Sequence, residues 1–72
     1  MDNKIIEEVQ TRYILHWNYR GLTNFPAEII QFGAHLEEIY FKENGLLALP
    51  ENVHQILPKL KQIYLYGNRL QR

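Results

Sequence analysis

The chain has 72 residues, which leaves room for one domain with a marginal core, since a chain this small buries only about 60% of its unfolded surface. Its 8 basic and 8 acidic side chains cancel, so it lacks the electrostatic footprint of a nucleic-acid or anionic-lipid binder. Neither cysteine nor serine occurs, which excludes disulfides, thiolate metal sites and a Ser or Cys nucleophile, and leans toward a reducing compartment.

The chain begins "MDNKIIEEVQ", with Asp2 where a secretory signal has positive charge and without the apolar run of roughly 7 residues that such a signal needs. No stretch approaches the roughly 20 apolar residues of a membrane span. A soluble, cytoplasmic protein is the expectation. Ile5, Ile6, Val9 and Tyr13 fall on one side of a helical wheel, and Asp2 or Asn3 can cap the start. The spacing predicts a capping helix within residues 1–13 that covers the open apolar edge of the first repeated unit; a frayed tail is the alternative.

From residue 12 onward the sequence repeats itself with an offset of 24. Gly21 falls on Gly45, Leu22 on Leu46, Pro26 on Pro50, Leu36 on Leu60, Ile39 on Ile63, Tyr40 on Tyr64 and Asn44 on Asn68. Each period contains a short β-branched and aromatic segment, "EIYF" or "QIYLY", which suits a strand. Turn chemistry comes after it in "ENG" or "GNR". A proline then turns the chain, and in the first turn of a short helix its missing donor costs nothing. Ile29, Phe32 and Leu36, and then Val53, Ile56, Leu57 and Leu60, recur at helix-like spacing. Parallel strands need such a crossover between them.

Leu36, Ile39, Phe41, Asn44 and Leu46 spell L-x-x-L-x-L-x-x-N-x-L, and Leu60, Ile63, Leu65, Asn68 and Leu70 spell it again. The chain thereby resembles the leucine-rich repeat family over roughly residues 12–70, and its "LP" steps resemble the intracellular class of that family. The resemblance implies an α/β solenoid of about two and a half repeats over residues 12–72, with a short parallel sheet on the concave side and short helices or irregular returns on the convex side. The first copy departs from the pattern: Arg12 stands for the opening leucine, Trp17 holds the third apolar place, and Arg20 replaces the asparagine. Terminal repeats are atypical because one side meets water.

In this pattern Asn44 and Asn68 bond the turn backbone, and Trp17 belongs to the core. Strand alternation sends the intervening residues to the concave face. These are Ile14, His16, Asn18 and Tyr19; Glu38, Tyr40, Lys42 and Glu43; and Gln62, Tyr64, Tyr66 and Gly67. His16, Tyr40 and Tyr64 form one column, and Asn18, Lys42 and Tyr66 the next. A tyrosine-rich patch with few charges has the composition of a protein-binding surface, although stacked tyrosines can also serve only to stiffen a sheet. The candidate protein-binding residues are therefore His16, Asn18, Tyr19, Glu38, Tyr40, Lys42, Gln62, Tyr64 and Tyr66.

Catalytic and metal chemistry find little support. His16, His35 and His54 fall at different points of the period and do not converge. The adjacent pairs Glu7–Glu8 and Glu37–Glu38 point apart and read as solvated edges. The 4 glycines are scattered turn residues, not a phosphate loop. The leading expectation is a protein-interaction module, not an enzyme, with no cofactor and with another protein as partner. The alternatives are a purely structural amino-terminal part of a longer solenoid, or the non-catalytic front of a larger enzyme. Because the third period breaks off at Arg72 without a cap, further repeats or a partner are expected beyond Leu65 and Leu70, and the isolated chain is expected to fold weakly or self-associate through its edge.

Overall fold

Leu15, Ile39 and Ile63 stand one period apart, and each becomes the inward residue of a strand. The structure, a computed structural model, describes residues 3–70. It is a small mixed α/β fold with a three-stranded parallel sheet in chain order: β1 (Ile14–His16), β2 (Glu38–Tyr40) and β3 (Gln62–Tyr64). Three helices join them: α1 (Asn3–Thr11) precedes β1, α2 (Ala27–Phe32) links β1 to β2, and α3 (Val53–Ile56) links β2 to β3. The register pairs Leu15 with Ile39 and Ile39 with Ile63, so the offset read in the sequence is the sheet register itself.

The core lies between the sheet and the returning segments. Val9, Leu15, Ile29, Leu36, Ile39, Phe41 and Leu46 are wholly buried, and Trp17 and Leu57 nearly so. Burying each such side chain contributes about 1.5–3 kcal/mol before chain entropy is set against it. Burial is graded along the stack: Leu36, Ile39, Phe41 and Leu46 of the middle period are shielded, whereas Leu60, Ile63, Leu65 and Leu70 of the third are only half-buried. The middle period has neighbours on both sides. The third has one.

α1 packs on α2 and buries Val9, with Ile5 against the same core. Tyr13 departs from the expected apolar face. The helix ends at Thr11, the chain turns into β1, and Tyr13 is left 60% exposed with its ring edge-on to His35 at 5.7 Å. The cap assigned to the Asp2 or Asn3 side chain and the expectation beyond Arg72 lie outside what the structure describes. Glu8 is also not a solvated edge. It is half-buried, and its carboxylate accepts the indole N–H of Trp17 at 3.1 Å, tying α1 to the first period.

Pro26 sits at the N-cap of α2 with φ −63, the backbone angle its ring imposes. Pro50 does not play the same part, because α3 starts later, with Asn52 at its N-cap and the Asn52 carbonyl accepting from Gln55 and Ile56. Gly33 ends α2, and a Cβ there would meet the Ile29 carbonyl oxygen at 2.6 Å and Leu36 Cδ1 at 2.8 Å. Only glycine lets the chain pass that close to the helix it has just left. No helix among the described residues is long and apolar enough to cross a membrane.

Candidate interaction surface

Two ladders built from repeated residues position the strand face. The first is the asparagine ladder at the turns. Asn44 Oδ1 accepts the backbone N–H of Arg20 at 2.7 Å and of Leu22 at 3.2 Å, while its Nδ2 donates to the carbonyls of Trp17 and Phe41 at 3.0 Å each. Asn68 repeats this one period on: its Oδ1 accepts from Leu46 N–H at 3.0 Å, and its Nδ2 donates to Phe41 and Leu65 carbonyls at 2.8 Å. A carboxamide suits this place because it offers two donors and an acceptor in one plane. Arg20, where the first period lacks the asparagine, instead lays its guanidinium 5.4 Å from the centre of the Trp17 ring.

The second ladder is aromatic. The register sets His16 beside Tyr40 and Tyr40 beside Tyr64. Their rings stack with centroids 4.8 Å and 4.4 Å apart and planes inclined by 18° and 13°. These separations match the strand spacing of about 4.8 Å, so the sheet itself dictates the stack. Glu38 and Gln62 stand two residues before Tyr40 and Tyr64, on the same side of their strands. The Tyr40 hydroxyl donates to Glu38 Oε1 at 3.2 Å, and the Tyr64 hydroxyl donates to Gln62 Oε1. Desolvation is the largest effect raising the Tyr40 hydroxyl above its ordinary value of 10.0, followed by the Tyr64 hydroxyl and then Glu38.

The remaining candidates lie past the strand ends. Asn18 is half-buried, and its Oδ1 accepts the Lys42 backbone N–H at 2.7 Å, so its amide oxygen is committed to holding two turns together. Lys42 reaches back, with Nζ 5.5 Å from the Tyr64 ring centre. The second column is thus a seam of mixed contacts, not a ring stack. Tyr66 is 76% exposed and Tyr19 77% exposed.

Tyr19 lies past the end of β1. It occupies a left-handed turn at φ 59, as do its period-mates Glu43 at φ 57 and Gly67 at φ 82. Glycine stands at only one of these three places, so the turn geometry was hidden at the other two. The Glu43 carboxylate lies over Gly67, where a Cβ would collide with its Oε2.

The three histidines are spread over the molecule. His16 ends the ring stack, His35 faces Tyr13, and His54 is exposed in α3. Among the described residues no group of three His, Asp or Glu side chains is arranged to hold a metal ion. Residues that the sequence pattern did not single out include Thr23, Leu47 and Arg69, which line a shallow depression at the turn end of the fold together with Gly21, Glu43 and Gly45. Of its lining residues, only Gly21 and Glu43 stand in the left-handed conformation that could have hinted at it.

No protein-family model and no solved structure matches this chain. A reading of its function therefore rests on its own residues.

Proposed function

We propose that the chain is a set of leucine-rich repeat coils, the beginning of a solenoid, and that it acts as a protein-interaction module through its strand face. The observation that carries this reading is the ring stack of His16, Tyr40 and Tyr64 bordered by exposed Tyr66. The stack is held rigid by the sheet below and by the Glu38 and Gln62 hydrogen bonds beside it. Rigid aromatic side chains give large contact area at low entropic cost, which is why tyrosine concentrates in binding patches. The mechanism is surface complementarity, without covalent chemistry. Glu38, Gln62 and Lys42 supply polar contacts around the rings, and Asn18 sets the turns that frame them.

The test is a selection of peptide ligands against the folded chain, repeated with Tyr40→Ala, Tyr64→Ala and Tyr66→Ala. Ligands that lose at least about tenfold in affinity, roughly 1.4 kcal/mol, on the single changes support the reading. Each variant is first checked by circular dichroism for a retained fold. Ligands indifferent to all three changes overturn it.

The graded burial of the third period favours a second reading, in which these coils serve mainly to begin and roof a longer stack. Under that reading the three tyrosine changes alter stability and leave binding untouched.

A further inference from the structure

Glu38 carries a charge that its place in the ring stack does not need. Its period-mate is Gln62, and the two side chains play the same part. Each offers an oxygen to the tyrosine hydroxyl two residues on, Glu38 to Tyr40 and Gln62 to Tyr64. A neutral carboxamide is therefore enough to hold a ring of the stack. In the second period a carboxylate stands there instead, and it is half-buried.

Among the described residues no cation of the chain pairs with it. The sheet register sets Ile14 on one side of Glu38 and Gln62 on the other, and neither is charged. Its chain neighbour Glu37, by contrast, has Lys61 Nζ at 3.6 Å. Lys42 directs its ammonium at the Tyr64 ring, 5.5 Å from the centre. A half-buried carboxylate has lost part of its water, so an ionic partner gains more there than at a fully wetted surface.

The surroundings of the carboxylate select among cations. The Tyr40 hydroxyl directs its one proton to Glu38 at 3.2 Å, which leaves the phenol oxygen as an acceptor beside the carboxylate. Two neighbouring acceptors suit the forked N–H groups of a guanidinium better than the single point charge of an ammonium. Ile14, 39% exposed in the same row, offers apolar surface for an aliphatic stem.

We infer that Glu38, with the Tyr40 hydroxyl oxygen and Ile14, receives an arginine side chain of the protein that the strand face binds. The inference rests on the strand-face reading and names the chemistry of the partner: a segment that carries arginine over the second period. Glu38 then sets specificity, while the hydrogen bond it shares in kind with Gln62 serves the stack.

The probe is the blocked tripeptide acetyl-Gly-Arg-Gly-amide, set against its citrulline analogue, which keeps the shape and loses the charge. Titrated into the full chain and followed by nuclear magnetic resonance, the arginine probe is expected to shift Glu38 and Tyr40. It should bind about tenfold more tightly than the citrulline probe at low salt. In Glu38→Gln that preference should vanish, while circular dichroism and the thermal midpoint stay unchanged, since glutamine already fills the same place at position 62. Three results would overturn the inference. One is equal binding of the two probes to the unaltered chain. Another is an arginine preference that survives Glu38→Gln. The third is a shift of Glu38 and Tyr40 that grows with protein concentration alone, which would make an arginine of a second copy the occupant. The strand-face reading fails on a different readout, the indifference of selected ligands to the changes at Tyr40, Tyr64 and Tyr66.

Discussion

Replacing Asn44 by alanine should cost more than replacing its period-mate Asn68, although the two side chains make nearly the same bonds. Asn44 is almost wholly buried, and its removal leaves Arg20 N–H, Leu22 N–H and the Trp17 carbonyl without their partner; the Phe41 carbonyl keeps its bond from Asn68. Arg20 is exposed and water can reach its N–H, so the Trp17 carbonyl stays buried and unpaired and the half-buried Leu22 N–H partly so. At about 1–3 kcal/mol for a buried group and less for a partly wetted one, the loss is roughly 3 kcal/mol. Stability for a chain of this length scales to roughly 4–11 kcal/mol, so the variant stands near the edge of unfolding. Asn68→Ala strands the N–H of buried Leu46 and the carbonyl of Leu65; water substitutes only at the half-buried Leu65, so the change should cost about 2 kcal/mol. Asn44→Asp is nearly isosteric but sets a carboxylate against two carbonyls, and should be at least as damaging as alanine. Urea unfolding followed by Trp17 fluorescence measures all three, with the midpoint falling at constant slope. Equal losses for Asn44→Ala and Asn68→Ala, or a tolerated Asn44→Asp, would refute the ladder reasoning.

Gly33→Ala should lower stability by about 2 kcal/mol, because the new methyl meets the Ile29 carbonyl, which cannot yield as a flexible side chain can. Gly67→Ala should cost only about 1 kcal/mol, from its left-handed φ of 82, since the Glu43 carboxylate above it can swing aside; thermal unfolding of both variants orders them. Glu8→Ala should cost about 1.5 kcal/mol by removing the acceptor of the Trp17 indole, and amide exchange in α1 should accelerate more than exchange in β2. The Tyr40 hydroxyl is raised in the fold, so the folded state favours the neutral phenol. The stabilisation from this group is complete below the ordinary value of 10.0 and is lost as pH rises through the higher folded value. Unfolding midpoints measured from about pH 8 to 11 should fall at the alkaline end, and Tyr40→Phe should flatten that fall.

Much of the fold was legible because one offset served several purposes at once. The same spacing that aligns Ile39 with Ile63 in the sequence pairs them in the sheet, and it also carries the aligned asparagines into hydrogen-bonding reach of the preceding turn. The helices were less legible. Pro26 and Pro50 match in the sequence, yet only Pro26 stands at a helix start. A helix of four residues such as α3 has little internal cooperativity, so packing of Leu57 and the Asn52 turn decides where it begins. Tyr13 misled for a related reason: wheel position counts only while the helix lasts, and Thr11 ends it.

At the strand face, what the sequence revealed and what it concealed divide along backbone geometry. His16, Tyr40 and Tyr64 lie within the strands, where a period of two fixes the direction of every side chain, and their stack results from alternation plus register. Asn18, Tyr19 and Lys42 lie past the strand ends, where alternation stops. Counting by twos reaches Asn18, whose amide oxygen accepts the Lys42 N–H, but it does not reach Tyr19, which sits in a left-handed turn. That turn conformation costs a side-chain-bearing residue about 1–2 kcal/mol relative to its right-handed alternative. The chain accepts it at both Tyr19 and Glu43, because the N–H groups there must point at the carbonyls of Lys42 and Tyr66 for the periods to stack. Stacking, and not local preference, sets the turns. Exchanging Tyr19 for glycine should therefore leave the Lys42 contact in place, with stability unchanged or raised, whereas a proline there would abolish the N–H that the next period needs.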